Sequence, residues 1–353
     1  MNRIEKLRKY MEAQEVEATL ICSSQNVYYY TGFRCSESFV LITEKNVYVL
    51  TDFRYVIQAR EEALNCEIIE ITSSDLCKKL NAILPVGTRI KCGFEEDIIS
   101  VQQFETFSAL NADLVPFSDW IRKPRIIKDE EEIRCLQIAQ NMADAAFAEL
   151  LKRIIVGKTE IEIAAELDYL CRLQGSEGPS FDTIIGSGPN GAMCHAIPGN
   201  RAIQKGDLIV VDFGCIYKGY HSDMTRTIGI GKVNDKCREI YDIVYKSQLM
   251  CLEKVKDGLS GYEMDDIARS MISKAGFGEN FGHSLGHGFG LEIHEPPRAS
   301  TTSDDVLRAG MTITDEPGIY IENEFGVRIE DCLVVTENGC LNLPSTTKEL
   351  IIV

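Results

Sequence analysis

No apolar run in this 353-residue chain approaches the length of a bilayer-spanning helix, so no membrane helix is expected. Positive charge is also short, with 37 Lys and Arg against 54 Asp and Glu and a net charge of -17. Binding to phosphate backbones needs a basic face, so nucleic acid is not an expected partner, nor is an anionic membrane surface. The 13 cysteines are odd in number and never spaced C-x-x-C, which reads as reduced core thiols of a cytoplasmic protein and not as a disulfide framework or structural zinc site. The opening MNRIEKLRKYMEAQEVE has charges but no apolar stretch behind them, the pattern of an amphipathic helix and not of a signal peptide. A Walker A motif is missing, and H-E-x-x-H fails because two prolines follow Glu295. The segment GSGPNG fits the dinucleotide fingerprint as text, but Pro189 and the following AMCHAIPG do not open a helix, so it reads as a turn.

What is present divides the chain in two. Residues 1–122 alternate helix and strand patterns: a helix facing inward with Ile4, Leu7 and Met11, a strand ATLICSS, a hairpin FVLITEKNVYVL, then helix, strand, helix and strand to RIKCGF. This is the pattern of an α/β domain. From 123 a second domain is expected. Pro124 interrupts the pattern, and a charged start then opens a long helix with Ile133, Leu136, Ala139, Met142 and Ala146 on one face. Thr159 and Glu162 have capping-box spacing ahead of another helix. After Gly175 the chain turns to glycine-punctuated strands, interrupted by helical patterns near 236–256 and 262–274. Helices flanking a largely antiparallel sheet make the whole an α+β protein.

The second domain repeatedly sets acidic residues in apolar or glycine-rich surroundings: Asp212 in IVVDFG, Asp223 in YHSDMTRT, Glu316 in TITDEPGIY and Glu330 in VRIEDCLVV. Four buried carboxylates carry a prohibitive desolvation cost unless positive charge gathers them. Two divalent cations balance them, and His287 in SLGHGFGLEIHE adds a nitrogen. A two-residue turn at Lys218-Gly219 would place Asp212 opposite Thr225 and bring Asp223 to the same face. Oxygen donors and one imidazole without a thiolate favour Mn²⁺, with Co²⁺, Fe²⁺ or Zn²⁺ as alternatives. Of only five histidines, His283, His287 and His294 fall within twelve residues, and His195 and His221 lie near the acidic motifs. Arg328 and Glu330, two apart, are expected on one strand face. Cys194 beside His195 reads as a cysteine near the site without a catalytic role. A dinuclear hydrolase centre is the reading of these residues.

The ordered Asp-Asp-His-Glu-Glu set, with GHGFGLEIHE, DEPGIY and VRIED around it and NVYYYTGF and LTDFRY earlier, resembles the creatinase/aminopeptidase P/prolidase family. The resemblance covers nearly the whole chain. It implies a creatinase-like α/β domain followed by a "pita-bread" catalytic domain, a homodimer, and hydrolysis of Xaa-Pro dipeptides or short peptides. It further implies that Asp212 chelates one metal, that His287 and Glu316 hold the other, and that Asp223 and Glu330 bridge both. Glu316 would handle the proton of the attacking water. His195 and His294 would meet the scissile carbonyl and the oxyanion, with His283, Arg298 and Arg328 as further substrate-pocket residues. Cys194 departs from the family, where proline is common. Arg298 tilts the reading toward an Xaa-Pro dipeptidase, against an aminopeptidase P acting on longer peptides. A non-catalytic binding module on the same fold is the reading from another class, and the complete ligand set speaks against it.

Overall fold

The computed structural model describes residues 2–85 and 87–353. The chain separates into two compact units, one ending at Arg125 and one beginning at Ile126. In the first, a six-stranded mixed sheet runs in the order Glu67–Glu70, Val47–Thr51, Ser38–Thr43, Ala18–Ile21, Ile90–Phe94, Ala112–Pro116. The hairpin expected in FVLITEKNVYVL forms its antiparallel centre, and the flanking strands pair in parallel. Ile4, Leu7 and Met11 are all buried, as their helical spacing requires. Beyond the elements expected from the sequence, this unit contains the helices Ser24–Thr31 and Val101–Phe107 and, as the last strand of the sheet, Ala112–Pro116.

The border lies later than residue 122, and Pro124 does not end a helix. It sits inside the helix Ser118–Ile126. Long-range bonds hold that last turn to the first unit: Tyr30 Oη donates to the Ile121 carbonyl at 2.6 Å, Tyr29 Oη to the Pro124 carbonyl at 2.8 Å, and Arg125 to Asn26 Oδ1 at 2.7 Å.

In the second unit the helices Glu130–Leu151 and Glu160–Leu173 pack on the strands Leu208–Phe213 and Met224–Gly229 through Phe147, Leu150, Leu167, Val211 and Phe213. The helices Asp235–Lys254 and Gly261–Lys274 share a second core with Leu285, Ile313, Val327 and Leu333. The expected capping box is present: Thr159 Oγ1 accepts from Glu162 N–H at 3.3 Å and Glu162 Oε2 from Thr159 N–H at 2.8 Å, a pairing typical of about 1 kcal/mol of helix stability. GSGPNG gives the end of the strand Ile184–Ser187 and a single 3₁₀ turn, Gly188–Ala192, and no α-helix follows. The antiparallel sheet is divided into a four-stranded sheet, a three-stranded sheet and short two-stranded pairs, and within the four-stranded sheet only Ile351–Ile352 runs parallel to its neighbour.

Candidate metal centre and substrate cavity

The first two carboxylates are brought together by a turn. Lys218 and Gly219 have φ of 48° and 76°, the left-handed pair that closes a two-residue hairpin with the twist of its strands. Glu177 accepts both of their N–H groups, at 2.8 and 3.1 Å. Counting back from that turn, Thr225 pairs with Asp212. Asp223, just before the strand Met224–Gly229, then stands diagonally across from Asp212.

The other donors come from separate segments. The strand Thr312–Asp315 ends one residue before Glu316. His287 sits in Gly286–Gly288, tight against that strand, for a Cβ on Gly286 would lie 2.0 Å from the Thr314 carbonyl oxygen. Only glycine allows the approach. Arg328 and Glu330 do not share one strand. Pairing breaks between Phe325–Arg328 and Asp331–Thr336, and Glu330 occupies the break. They nevertheless meet on one hydroxyl: Thr225 Oγ1 accepts from Arg328 Nε at 3.1 Å and donates to Glu330 Oε2 at 2.6 Å.

One cavity of about 800 Å³ is lined by all of Asp212, Asp223, His287, Glu316 and Glu330 and by His195, His283, His294, Arg298 and Arg328. His221 is not among its lining residues; its backbone N–H donates to the Gly290 carbonyl at 2.8 Å. Sequence reading had passed over Tyr320, whose hydroxyl receives Arg328 Nη1 at 2.7 Å and contacts His283 Nε2 at 3.0 Å. The signal lay in DEPGIY, whose tyrosine follows Glu316 by four residues. Cys194 contributes its carbonyl, which accepts from Arg328 Nη1 at 3.1 Å. A proline would offer the same carbonyl, so the departure from the family leaves this contact intact.

The donor set fits a pair of cations. Asp212, Asp223 and Glu330 are buried, yet Asp212 Oδ1 and Asp223 Oδ1 meet no hydrogen-bond donor among the described residues. Among the described residues only Arg328 forms an ion pair with these carboxylates, through Asp212 Oδ2 at 2.5 Å. In the protein alone, burial and then the neighbouring Asp212 and Glu316 carboxylates raise the pKa of Asp223 well above its ordinary value. Burial and then Asp223 do the same to Glu330. Burial, opposed by Arg328 and reinforced by Asp212, pushes Glu316 up to about 8.

His287 completes the test. Its Nδ1 lies 3.0 Å from the Gly288 carbonyl and so carries the proton, leaving an Nε2 lone pair directed at Asp223 Oδ2 at 3.7 Å and Glu316 Oε1 at 3.6 Å. Burial lowers its pKa to about 4, so the ring stays neutral. A lone pair facing ionised carboxylates is repulsive, and a shared cation relieves that repulsion. Donors about 2.1 Å from one ion stand about 3.0 to 3.5 Å apart, close to these spacings. Asp223, His287 and Glu330 also offer one atom each within 4.8 Å of one another.

Beside this set, the His294 ring lies 4.4 Å from that of His287, and Arg298 pairs across the strands with His287. The Arg298 side chain is exposed and forms no ion pair with a carboxylate among the described residues. The His294 loop is anchored by Glu295, which accepts from Glu292 N–H at 3.0 Å and pairs with Lys128 at 3.1 Å, the two side chains 4% and 1% exposed. Lys128→Met would remove the cation that pairs with this buried carboxylate. It is expected to lower unfolding free energy by about 3 to 5 kcal/mol, read from chemical denaturation. A loss under about 1 kcal/mol would show that the pair is not holding the loop.

Comparison with known proteins gives a consistent result. The model of metallopeptidase family M24 matches residues 134–337, and that of the creatinase/prolidase N-terminal domain matches residues 3–127. The chain is 39% identical to an Xaa-Pro dipeptidase of Pyrococcus horikoshii, over 99% of this chain and 98% of that one. Among solved structures, an Xaa-Pro dipeptidase from Bacillus anthracis superposes with a TM-score of 0.95 at 40% identity, covering 99% of each chain. An X-Pro aminopeptidase from Thermotoga maritima gives 0.92 at 37% identity, covering 100% of each.

Proposed function

The chain belongs to metallopeptidase family M24, and from that premise we propose that it is an Xaa-Pro dipeptidase, cleaving the bond between an N-terminal residue and a following proline. The observation that carries the proposal is the convergence of five metal-type donors, three further histidines and the exposed Arg298 on one cavity. Family membership brings divalent metal ions, and Asp212, Asp223, His287, Glu316 and Glu330 would hold them. We assign Mn²⁺ from the oxygen-rich donor set, with Co²⁺, Fe²⁺ and Zn²⁺ to be compared. When bound, such ions make water a nucleophile near neutral pH and polarise a carbonyl.

The rest is the work of the chain's own side chains. A prolyl nitrogen carries no N–H and must be protonated to leave. Glu316, just past the end of its strand with Oε1 3.6 Å from His287 Nε2 and lining the cavity, is placed to take a proton from water and return it to that nitrogen. His195 and His294 are the donors to the scissile carbonyl oxygen. Burial and then Arg298 lower the pKa of His294, which keeps its ring neutral. Phe181, Ile197 and Ile293 give the cavity an apolar wall suited to a proline ring.

Arg298 decides between dipeptide and longer peptide. Facing His287 with no carboxylate partner among the described residues, it is placed to pair with the carboxylate that directly follows the proline ring of a dipeptide. An aminopeptidase acting on longer peptides is the second reading, favoured by the likeness to the Thermotoga maritima structure. Side-by-side hydrolysis of Ala-Pro and Ala-Pro-Ala separates them. Arg298→Ala is expected to raise KM for Ala-Pro by about ten- to a hundredfold while kcat changes less, the scale of one charge-assisted hydrogen bond. Release of alanine from the tripeptide alone, with KM for it indifferent to Arg298, would make the protein an aminopeptidase. We place it in the cytoplasm as a homodimer; its thirteen free cysteines support a reducing compartment.

A further inference from the structure

A buried carboxylate outside the metal-binding set holds the loop that carries His195. Glu160, the first residue of the helix Glu160–Leu173, is wholly buried. Its Oε1 accepts from Ser187 N–H at 2.8 Å, Ser187 Oγ at 2.6 Å and Asn190 Nδ2 at 3.1 Å. Its Oε2 accepts from Asn190 Nδ2 at 3.0 Å and Gly199 N–H at 3.1 Å. One carboxylate therefore clasps a segment at both ends, and Cys194, His195 and Ile197 of the cavity wall lie between.

The helix terminus adds to the grip. Helices begin with N–H groups that lack partners in their own ladder. Here Glu160 N–H donates to the Arg201 carbonyl and Ile161 N–H to the Gly199 carbonyl, each at 3.1 Å. The negative charge is answered through Ser187, whose Oγ also accepts from Arg201 Nη1 at 2.7 Å. Each of these partners of the Glu160 carboxylate is a donor. Glutamine at this position would turn an NH₂ group toward one of them, so the site calls for a carboxylate and not merely for a polar side chain of that length.

We propose that Glu160 is a positioning residue for the reaction: by closing segment 187–199 at both ends it sets where His195 stands in the cavity. This rests on the reading that His195 meets the substrate carbonyl. Displacement of such a group by about 1 Å is enough to lower turnover by about a hundredfold.

The test is a double-mutant cycle with Mn²⁺-loaded full-length protein and Ala-Pro, measuring kcat, KM and bound metal for Glu160→Gln, His195→Ala and the pair. Glu160→Gln is expected to lower kcat by between about ten- and a hundredfold with metal stoichiometry unchanged. In the His195→Ala background it should cost less than about twofold, because the group it positions is gone. If Glu160→Gln does not yield folded protein, Asn190→Ala removes one of the two side-chain donors and runs through the same cycle, with a smaller loss that also vanishes beside His195→Ala. An equal cost in both backgrounds would overturn the proposal, as would wild-type kcat in Glu160→Gln while His195→Ala is impaired. Wild-type kcat in His195→Ala would overturn the role of His195 itself, and the Glu160 proposal with it.

Discussion

Glu316→Gln is expected to reduce kcat for Ala-Pro by at least about a thousandfold while the protein still binds the dipeptide. The amide keeps the size of the side chain and the contact with Thr314 Oγ1 at 3.2 Å, but it cannot carry a proton. Loss of a positioned acid or base alone is worth about 10² to 10⁴ in rate. Glu316 is also one of the donors facing His287, so a weakened metal site adds to the fall. Metal content is therefore to be measured on the same preparation, with peptide affinity from calorimetry. A kcat within about tenfold of wild type at full metal loading would remove Glu316 from proton transfer.

Asp212→Asn should act on the metal and not on the proton. It replaces an anionic donor by a neutral amide and sets that amide beside Arg328, whose Nη2 is 2.5 Å from Asp212 Oδ2. Asp212 Oδ1, buried and without a hydrogen-bond donor, is the atom free to coordinate. Metal affinity is expected to fall by about a hundredfold or more, beyond what loss of an outlying hydrogen-bond partner causes. Elemental analysis after gel filtration should find less than one ion per chain where wild type holds two. Unchanged stoichiometry would mean that Asp212 is simply the partner of Arg328.

The hairpin that joins the two aspartates was legible because turn chemistry fixes register: a two-residue turn at Lys218-Gly219 admits one pairing, Asp212 with Thr225. Periodicity carried the inward face of the first helix for the same local reason. Other elements could not be read locally. The helix Ser24–Thr31 buries Asn26, Val27, Tyr29, Tyr30 and Thr31, a set with a single aliphatic side chain among polar and aromatic ones and so no apolar stripe. Its hold comes from Glu95, distant in sequence, which accepts from Ser23 Oγ and Asn26 Nδ2, each at 2.6 Å. Arg328 and Glu330 have strand spacing, yet the pairing breaks between them, since the strands on either side of Glu330 pair with different partners, Gly318–Ile321 and Thr312–Asp315.

The site divides along the same line. Residue types that are expensive to bury announce themselves, so the carboxylates and clustered histidines stood out in apolar sequence. What orients them did not. Thr225 joins Arg328 and Glu330, Tyr320 joins Arg328 to His283, and Glu160 ties both ends of the His195 segment. Threonine, tyrosine and a glutamate at a helix start are ordinary in sequence. Only their partners, up to 105 residues away, give them a role.

The most direct test of the account is hydrolysis of Ala-Pro by protein stripped of metal with EDTA and then titrated with Mn²⁺. The account predicts no turnover in the stripped protein, and recovery that follows the binding of two ions per chain. Turnover that survives stripping, or full loading with Mn²⁺ and the alternative ions that restores no cleavage of any Xaa-Pro peptide, would contradict it.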